Sequence, residues 1–300
     1  MRTLVWRLAA VLTVAAALLV SPFAPASAAP RIRLSIVTGG TGGVYFILGG
    51  GLAKLISLNI PNVEATAEVT SASVDNMRLI GAKRADIAMT LADTAFDAFK
   101  GQEAFRGSPV PAVTLTPLYN NYNHLVTVEG SGINTIADLK GKRVSVGSPG
   151  SGTEVTALRL IEAAGLDPDR DFRSKDRLGI APSVDALRDR KIDAFFWSGG
   201  LPTSAVLDLA TTPGLRIKLI PLDSLLPALQ KKYGTLYFRS IIAKEYYLGL
   251  PANVPTVGTV NLLVVHKDFD ADLAYQITRL IYEKRPELAQ VHPEAANITV

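Results

Sequence analysis

An apolar run, Ile32 to Val37, passes into Thr38-Gly-Gly-Thr-Gly-Gly-Val-Tyr45, and Val44, Ile47, Leu48, Leu52, Leu55 and Ile56 then recur at helical spacing. That succession reads as a strand, a glycine turn and a helix N-terminus. A helix N-terminus leaves backbone N–H groups without partners and carries a partial positive charge, which suits an anion. Glycines let a ligand approach that backbone closely. Taken alone, the motif is equally well a tight strand-to-helix turn with no ligand.

The unit recurs. Val144-Ser-Val-Gly147 is strand-like, Ser148-Pro-Gly-Ser-Gly-Thr153 is a glycine and hydroxyl turn, and a helical pattern follows from Glu154 to Ala164, stopped by Gly165. Strand-like segments at Val63–Val69, Ala85–Met89, Val113–Tyr119, His124–Val128, Ile192–Trp197, Leu215–Ile220 and Thr259–Val265 alternate with helical ones. Ser183 is expected to cap one helix, Pro202 to begin another, and Leu222–Gly234 and Asp270–Arg285 to form two more. Such alternation predicts an α/β protein with largely parallel sheets. A crossover between two lobes is placed near Asn120–Asn123, and the strand Thr259–Val265 returns to the first. Residues 29–121 plus 252–300 then make one lobe and 122–251 the other.

The chain opens with Arg2 and Arg7, an apolar run from Leu8 to Val20, then Pro22, Pro25 and Ala26-Ser-Ala28. This is the pattern of a secretory signal peptide spanning residues 1–28, with cleavage after Ala28. The apolar run is short for a membrane span. Removing the two arginines lowers the formal net charge from +4 to +2. Cysteine is absent, so an exported fold has to be held by its core, and 48% hydrophobic residues permit that. A lipoprotein cysteine is missing too, and a soluble periplasmic location is expected. No clustered basic stripe points to nucleic acid.

Four turns share one chemistry: Gly39–Gly43, Thr70–Ser73, Ser148–Thr153 and Ser198–Gly200. Each follows a strand and precedes a helical pattern, which puts it at the strand's carboxyl end, where open α/β sheets bind ligands. Two fall in each proposed lobe, so all four can face one cleft. Hydroxyls and N–H groups there bind a carboxylate or phosphate without a buried cation.

The pattern resembles that of the TAXI family, the solute receptors of tripartite ATP-independent periplasmic (TRAP) transporters. The resemblance is carried by Thr41-Gly-Gly-Val-Tyr-Phe46, Leu48-Gly-Gly50, Ser71-Ala-Ser-Val-Asp-Asn-Met-Arg-Leu79 and Ala85-Asp-Ile-Ala88. It continues in the stretch from Asp138 to Thr153, in Lys191-Ile-Asp-Ala-Phe-Phe196 and in Val254-Pro-Thr-Val257. It covers nearly the whole chain after the signal peptide. It implies a two-lobed, type II-like periplasmic binding protein fold, each lobe a mostly parallel sheet flanked by helices. Such a receptor closes on a small ligand and delivers it to a fused membrane permease driven by an ion gradient. Ligands in that family include glutamate, glutamine and dicarboxylates. Two departures stand out. Leu91-Ala92-Asp93 replaces the polar Gln-Ser-Asp often found after the third strand, and the chain stops at Val300, where relatives usually continue.

The ligand-binding residues expected are therefore Thr41, Gly42, Gly43, Tyr45, Ser71, Asp93, Ser148, Ser151, Gly152, Thr153 and Trp197. Tyr45 could cover the ligand and bond it through its hydroxyl; Trp197 could stack on it or pack between layers. Asp93 would repel a carboxylate and attract an α-amino group, or serve as a helix N-cap. Asn76 and Arg78 are read as a solvated face. A small organic acid or amino acid is the expected ligand, with no cofactor or metal, and a monomer is expected. The alternatives are a receptor for an ATP-driven importer, a periplasmic sensor, or, from another class, a hydrolase using Ser151. Against catalysis, His124, His266 and His292 lie far apart without metal-ligand spacing, and neither a G-x-S-x-G elbow nor a Walker A lysine is present.

Overall fold

The protein is described by a computed structural model covering residues 31–299; the expected signal peptide, residues 1–28, lies outside them. The first lobe begins as β1 (Ile32–Val37), α1 (Val44–Asn59), β2 (Val63–Glu68), α2 (Ser73–Gly81), β3 (Ile87–Leu91) and α3 (Ala92–Lys100). A 17-residue strand, β4 (Ala112–Val128), then carries the chain across. The second lobe holds β5 (Arg143–Ser145), α4 (Gly152–Ala163), β6 (Ser174–Asp176), α5 (Ile180–Arg188), β7 (Ala194–Gly199), α6 (Ser204–Ala210), β8 (Ile217–Leu219), α7 (Leu226–Tyr233) and β9 (Phe238–Ile242). The chain returns along β10 (Val254–His266) and ends in α8 (Ala271–Glu283) and α9 (Arg285–Val291).

The strands run in the order β2-β1-β3-β10-β4-β7-β5-β6, with β9 against β10 and β8 against β4. The parallel trios β2-β1-β3 and β6-β5-β7 repeat one order, as the duplicated strand–turn–helix units foreshadow. Every pairing of β4 and β10 is antiparallel, so the sheet is mixed rather than largely parallel. The physical reason is that both strands that link the lobes run against the strands they join. The two strands expected at Val113–Tyr119 and His124–Val128 are one: β4 continues through Asn120–Asn123, paired there with β10 at Asn121↔Thr259 and Tyr122↔Gly258. β10 is irregular just beyond, between Val260 and Leu262 and again between Leu263 and Val264.

Helices cover both faces of each half. Leu48, Leu52 and Ile56 of α1 pack with Ile277 and Ile281 of α8 on one side of β1, while Val74, Met77 and Ile80 of α2 fill the other. In the second lobe, Leu160 and Ile161 of α4 face one core, and Val184, Leu187 and Val206 of α5 and α6 face another. Apolar contacts pass from the first lobe to the second between Tyr119 and Tyr122, and back between Val257 and Leu262. The amino half of β10 pairs with β9.

Two helix starts differ from the sequence reading. α5 begins at Ile180 with Gly179 as its N-cap, so Ser183 lies within the helix, where its hydroxyl meets that of Ser145 at 2.9 Å. α6 begins at Ser204, after Pro202. Among the described residues no helix is long and apolar enough to cross a membrane.

Candidate functional site

Four helix N-termini, two from each lobe, border one cavity of about 200 Å³. They belong to α1, α2, α4 and α5, whose N-caps are Gly43, Ala72, Ser151 and Gly179. Each is set by its own local chemistry. Ser151 Oγ accepts the Glu154 N–H at 3.0 Å, and the Glu154 carboxylate accepts the Gly150 N–H at 3.0 Å, which fixes the start of α4. Gly147, at φ +100°, makes the turn before it, where a Cβ would lie 2.7 Å from Thr153 Cγ2. Ala72 holds φ 86°, unusual for a residue with a side chain, and its N–H is secured by Thr70 Oγ1 at 3.0 Å.

The lobes touch around this cavity. Gly150 O accepts N–H groups of both Val74 and Asp75 at 3.1 Å, and Ser204 Oγ donates to Gly42 O at 3.1 Å. Leu201 N donates to Glu294 Oε1 at 2.6 Å, tying the second lobe to the C-terminal segment of the first. A Cβ on Gly43 would come within 3.0 Å of the Trp197 ring, and one on Gly152 within 2.6 Å of Ser73 Oγ. This is a closed arrangement, with glycines where the two walls meet.

Among the described residues, no Asp, Glu, Lys, Arg or His lines the cavity. Its surface is mostly apolar, from Val44, Leu91, Leu178, Ile180, Phe196 and Trp197, and is interrupted by hydroxyls. Several of these hydroxyls are occupied: Ser73 accepts Leu91 N, Thr153 accepts Ser198 N, and Ser198 donates to Asn123. Those of Ser71 and Ser148 have no protein partner among the described residues, nor do the N–H groups of Gly152 and Thr153. Two free N–H groups at a helix start, with hydroxyls beside them, form a cradle for one anionic group.

Of the residues expected from the sequence, Gly43, Tyr45, Ser71, Ser148, Ser151, Gly152, Thr153 and Trp197 border the cavity. Thr41, Gly42 and Asp93 do not. Thr41 is exposed, and Gly42 packs against the second lobe, where a Cβ would meet that of Ala205 at 3.0 Å. The Tyr45 hydroxyl donates to Asn261 Oδ1 at 2.6 Å, so the ring rather than the hydroxyl faces the site. Burial raises that hydroxyl's pKa well above its ordinary value. The Trp197 indole donates to Thr203 Oγ1 at 2.8 Å.

Asp93 is fully buried behind the cavity and does not cap α3, whose N-cap is Leu91. It accepts from Tyr237 Oη at 2.5 Å and lies 3.5 Å from Arg159 Nη1. Arg159 also donates to Asp97 Oδ2 at 2.5 Å and to Tyr237 Oη at 3.1 Å. One arginine of the second lobe is thus shared by two acids of the first. Burial raises the Asp97 pKa even though Gln102 and Arg159 act in the opposite direction. Burial also opposes the charge of Arg159, and Tyr237 and the two acids more than offset it.

Asn76 is buried as well, contrary to its reading as solvated. Its amide donates to Thr38 O at 2.7 Å and Met89 O at 2.8 Å and so ties together the ends of β1 and β3. No histidine hydrogen-bonds Ser151, whose hydroxyl is spent as a cap. Sequence reasoning missed Tyr119, Leu178, Gly179, Ile180 and Phe196. Only Gly179, a glycine just ahead of a helical pattern, carried a local signal.

His124 is the cross-strand partner of Trp197, on β4 beside β7. Its ring bonds Tyr122 O at 3.0 Å and Tyr247 Oη at 3.1 Å, and that hydroxyl accepts the Thr203 N–H. Burial lowers the His124 pKa to about 4. Between pH 6.5 and 4 the unfolded chain therefore takes up a proton that the folded chain refuses, and stability falls as pH falls. The expected loss is about 3 kcal/mol by pH 4. Melting curves against pH should show this slope in the wild type and a shallower one in His124→Gln.

The profile of the NMT1-like family matches residues 36–300. Solved structures share the fold at low identity. A putative L-cystine ABC transporter from Listeria monocytogenes is 14% identical, over 89% of this chain and 98% of its own, with a TM-score of 0.53. A binding protein component of an ABC phosphonate transporter from Pseudomonas aeruginosa is 12% identical, over 89% and 80%, with a TM-score of 0.57. PhnD1 from Prochlorococcus marinus in complex with methylphosphonate is 10% identical, over 89% and 92%, with a TM-score of 0.57. The chain thus has the α/β periplasmic binding protein fold, as the sequence reading expected.

Proposed function

Because this chain belongs to the NMT1-like family, we propose that it is an extracytoplasmic solute receptor that closes two lobes around a small organic anion. The observation that carries this is the closed cavity bordered by four helix N-termini, two per lobe, with no charged side chain among the described residues that line it. Lobe one comprises the residues up to about 121 and the chain after the return of β10; the second comprises the rest. The chain acts outside the cytoplasm after cleavage behind Ala28, and it binds without chemistry.

The receptor hands its ligand to a membrane permease, and two couplings have support. Two of the solved relatives, the putative L-cystine ABC transporter and the binding protein component of an ABC phosphonate transporter, support an ATP-driven importer. The stretch from Asp138 to Thr153 resembles TAXI receptors, which supports an ion-gradient permease of the TRAP kind. The ATP-driven coupling has the stronger support, because it rests on shared fold over most of the chain. Uptake that collapses with an ionophore while ATP is intact would count for the second.

A thermal-shift screen of mono- and dicarboxylates, phosphonates, sulfonates and amino acids tests the receptor reading. A ligand at a hundred times its Kd, bound only by the folded chain, stabilises it by about 2.7 kcal/mol. Turnover of a hit would sink the reading.

A further inference from the structure

We propose that the cavity selects a monoanion with an apolar body and one neutral hydrogen-bonding group, and that Tyr119 reads that group. This rests on the receptor reading above and narrows it, since the dicarboxylates and amino acids of the motif resemblance carry a second charge.

The charge class follows from the lining. One anionic group is served by the free N–H groups of Gly152 and Thr153 and the unspent hydroxyls of Ser71 and Ser148. A second carboxylate, or an ammonium, would leave water with no opposite charge to meet it, and that is costly. Behind the cavity Asp93, Asp97 and Arg159 are closed on one another and on Tyr237, and Glu294, near Tyr119, accepts from Leu201 N and Asn297 Nδ2. The rest of the ligand meets Leu91, Phe196 and Trp197, which call for an apolar body.

Tyr119 supplies the second, independent observation. It lines the cavity, is 3% exposed, and its hydroxyl has no partner among the described residues. A buried hydroxyl without a partner is unfavourable, so a partner from outside the chain is expected there. The ring is held in place: a Cβ on Gly200 would be 2.7 Å from Tyr119 Cε2 and 3.0 Å from Glu294 Cγ. Burial keeps the phenol protonated and hence able to donate.

Four probes of one length separate the classes: butyrate, 4-hydroxybutyrate, succinate and 4-aminobutyrate. Calorimetric titration of the wild type should rank 4-hydroxybutyrate about tenfold tighter than butyrate, with succinate and 4-aminobutyrate weaker than both. Tyr119→Phe should bring the first two to equal affinity, leave butyrate unchanged, and keep the unliganded melting temperature. Tightest binding by succinate or 4-aminobutyrate would overturn the charge class and leave the receptor reading intact. A hydroxyl preference that survives in Tyr119→Phe would overturn the role of Tyr119, its hydroxyl then serving a trapped water. Binding by none of the four would overturn the class, whereas conversion of a probe would overturn the receptor reading instead.

Discussion

Replacing Arg159 by Met should lower stability by about 3–5 kcal/mol, because it strands two buried carboxylates, Asp93 and Asp97, with no cation between them. For a chain of this size that is a fall in melting temperature of roughly 10 °C. The loss should exceed what the missing packing over Tyr233 explains, although the guanidinium sits 4.1 Å from that ring. Adding Asp93→Asn and Asp97→Asn should restore most of the stability, since a neutral cluster no longer needs the cation. Arg159 belongs to the second lobe and both acids to the first, so the single variant should also weaken ligand binding by depopulating the closed form. Calorimetric melting of the single and triple variants checks this. A fall of under about 2 °C in the single variant would show that the cluster does not join the lobes as described.

The second large effect is expected at Gly152, where affinity should fall at least about tenfold on replacement by Ala. A Cβ there would lie 2.6 Å from Ser73 Oγ and 2.7 Å from Leu91 Cδ1, both on the opposite lobe. The methyl group acts as a wedge in the closed form alone. Opening by a small hinge movement relieves it but also pulls Arg159 from Asp93 and Asp97, so the unliganded melting temperature should fall, by less than in Arg159→Met. Gly50 is the control: it lies in α1, is exposed, and has nothing within 4 Å of an added Cβ. Gly50→Ala should bind as the wild type does and gain about 0.5–1 kcal/mol from helix propensity. Equal affinities in Gly152→Ala and the wild type would show that closure across this glycine is not needed for binding.

The parts of the fold that could be read in the sequence were those written in local order. The run from Ile32 through the glycine turn to Ile56, and its echo from Val144 to Ala164, each hold a strand, a breaker and a helical period within 25 residues. Three such turns start helices at the cavity and Ser198 and Gly199 of the fourth border it, but the fourth helix start, at Gly179, lay outside the four. What stayed hidden depends on distance along the chain. Asp93 has its partners 66 and 144 residues away, so an acid at the start of a helix looked like a cap or a ligand contact. Tyr119 sits in an apolar strand and looks like core; only the absence of a partner for its hydroxyl in the folded chain marks it out. The long strands were cut too early for a similar reason. Asn120, Asn121 and Asn123 are poor strand formers, and pairing with β10 holds this stretch extended regardless. Asn76, on a polar stretch, is buried because three strand-end carbonyls need its amide.

Closure on a small anion is the central claim, and the molecule carries its own reporter. Beyond the signal peptide the chain has one tryptophan, Trp197, and it lines the cavity against Gly43 of the other lobe. Titrating the mature protein with a ligand found by thermal shift should change the Trp197 emission saturably, at the same Kd as calorimetry gives. In Gly152→Ala the change should need a correspondingly higher concentration. A ligand that binds by calorimetry yet leaves Trp197 emission unchanged at saturation would place the site elsewhere and contradict the account.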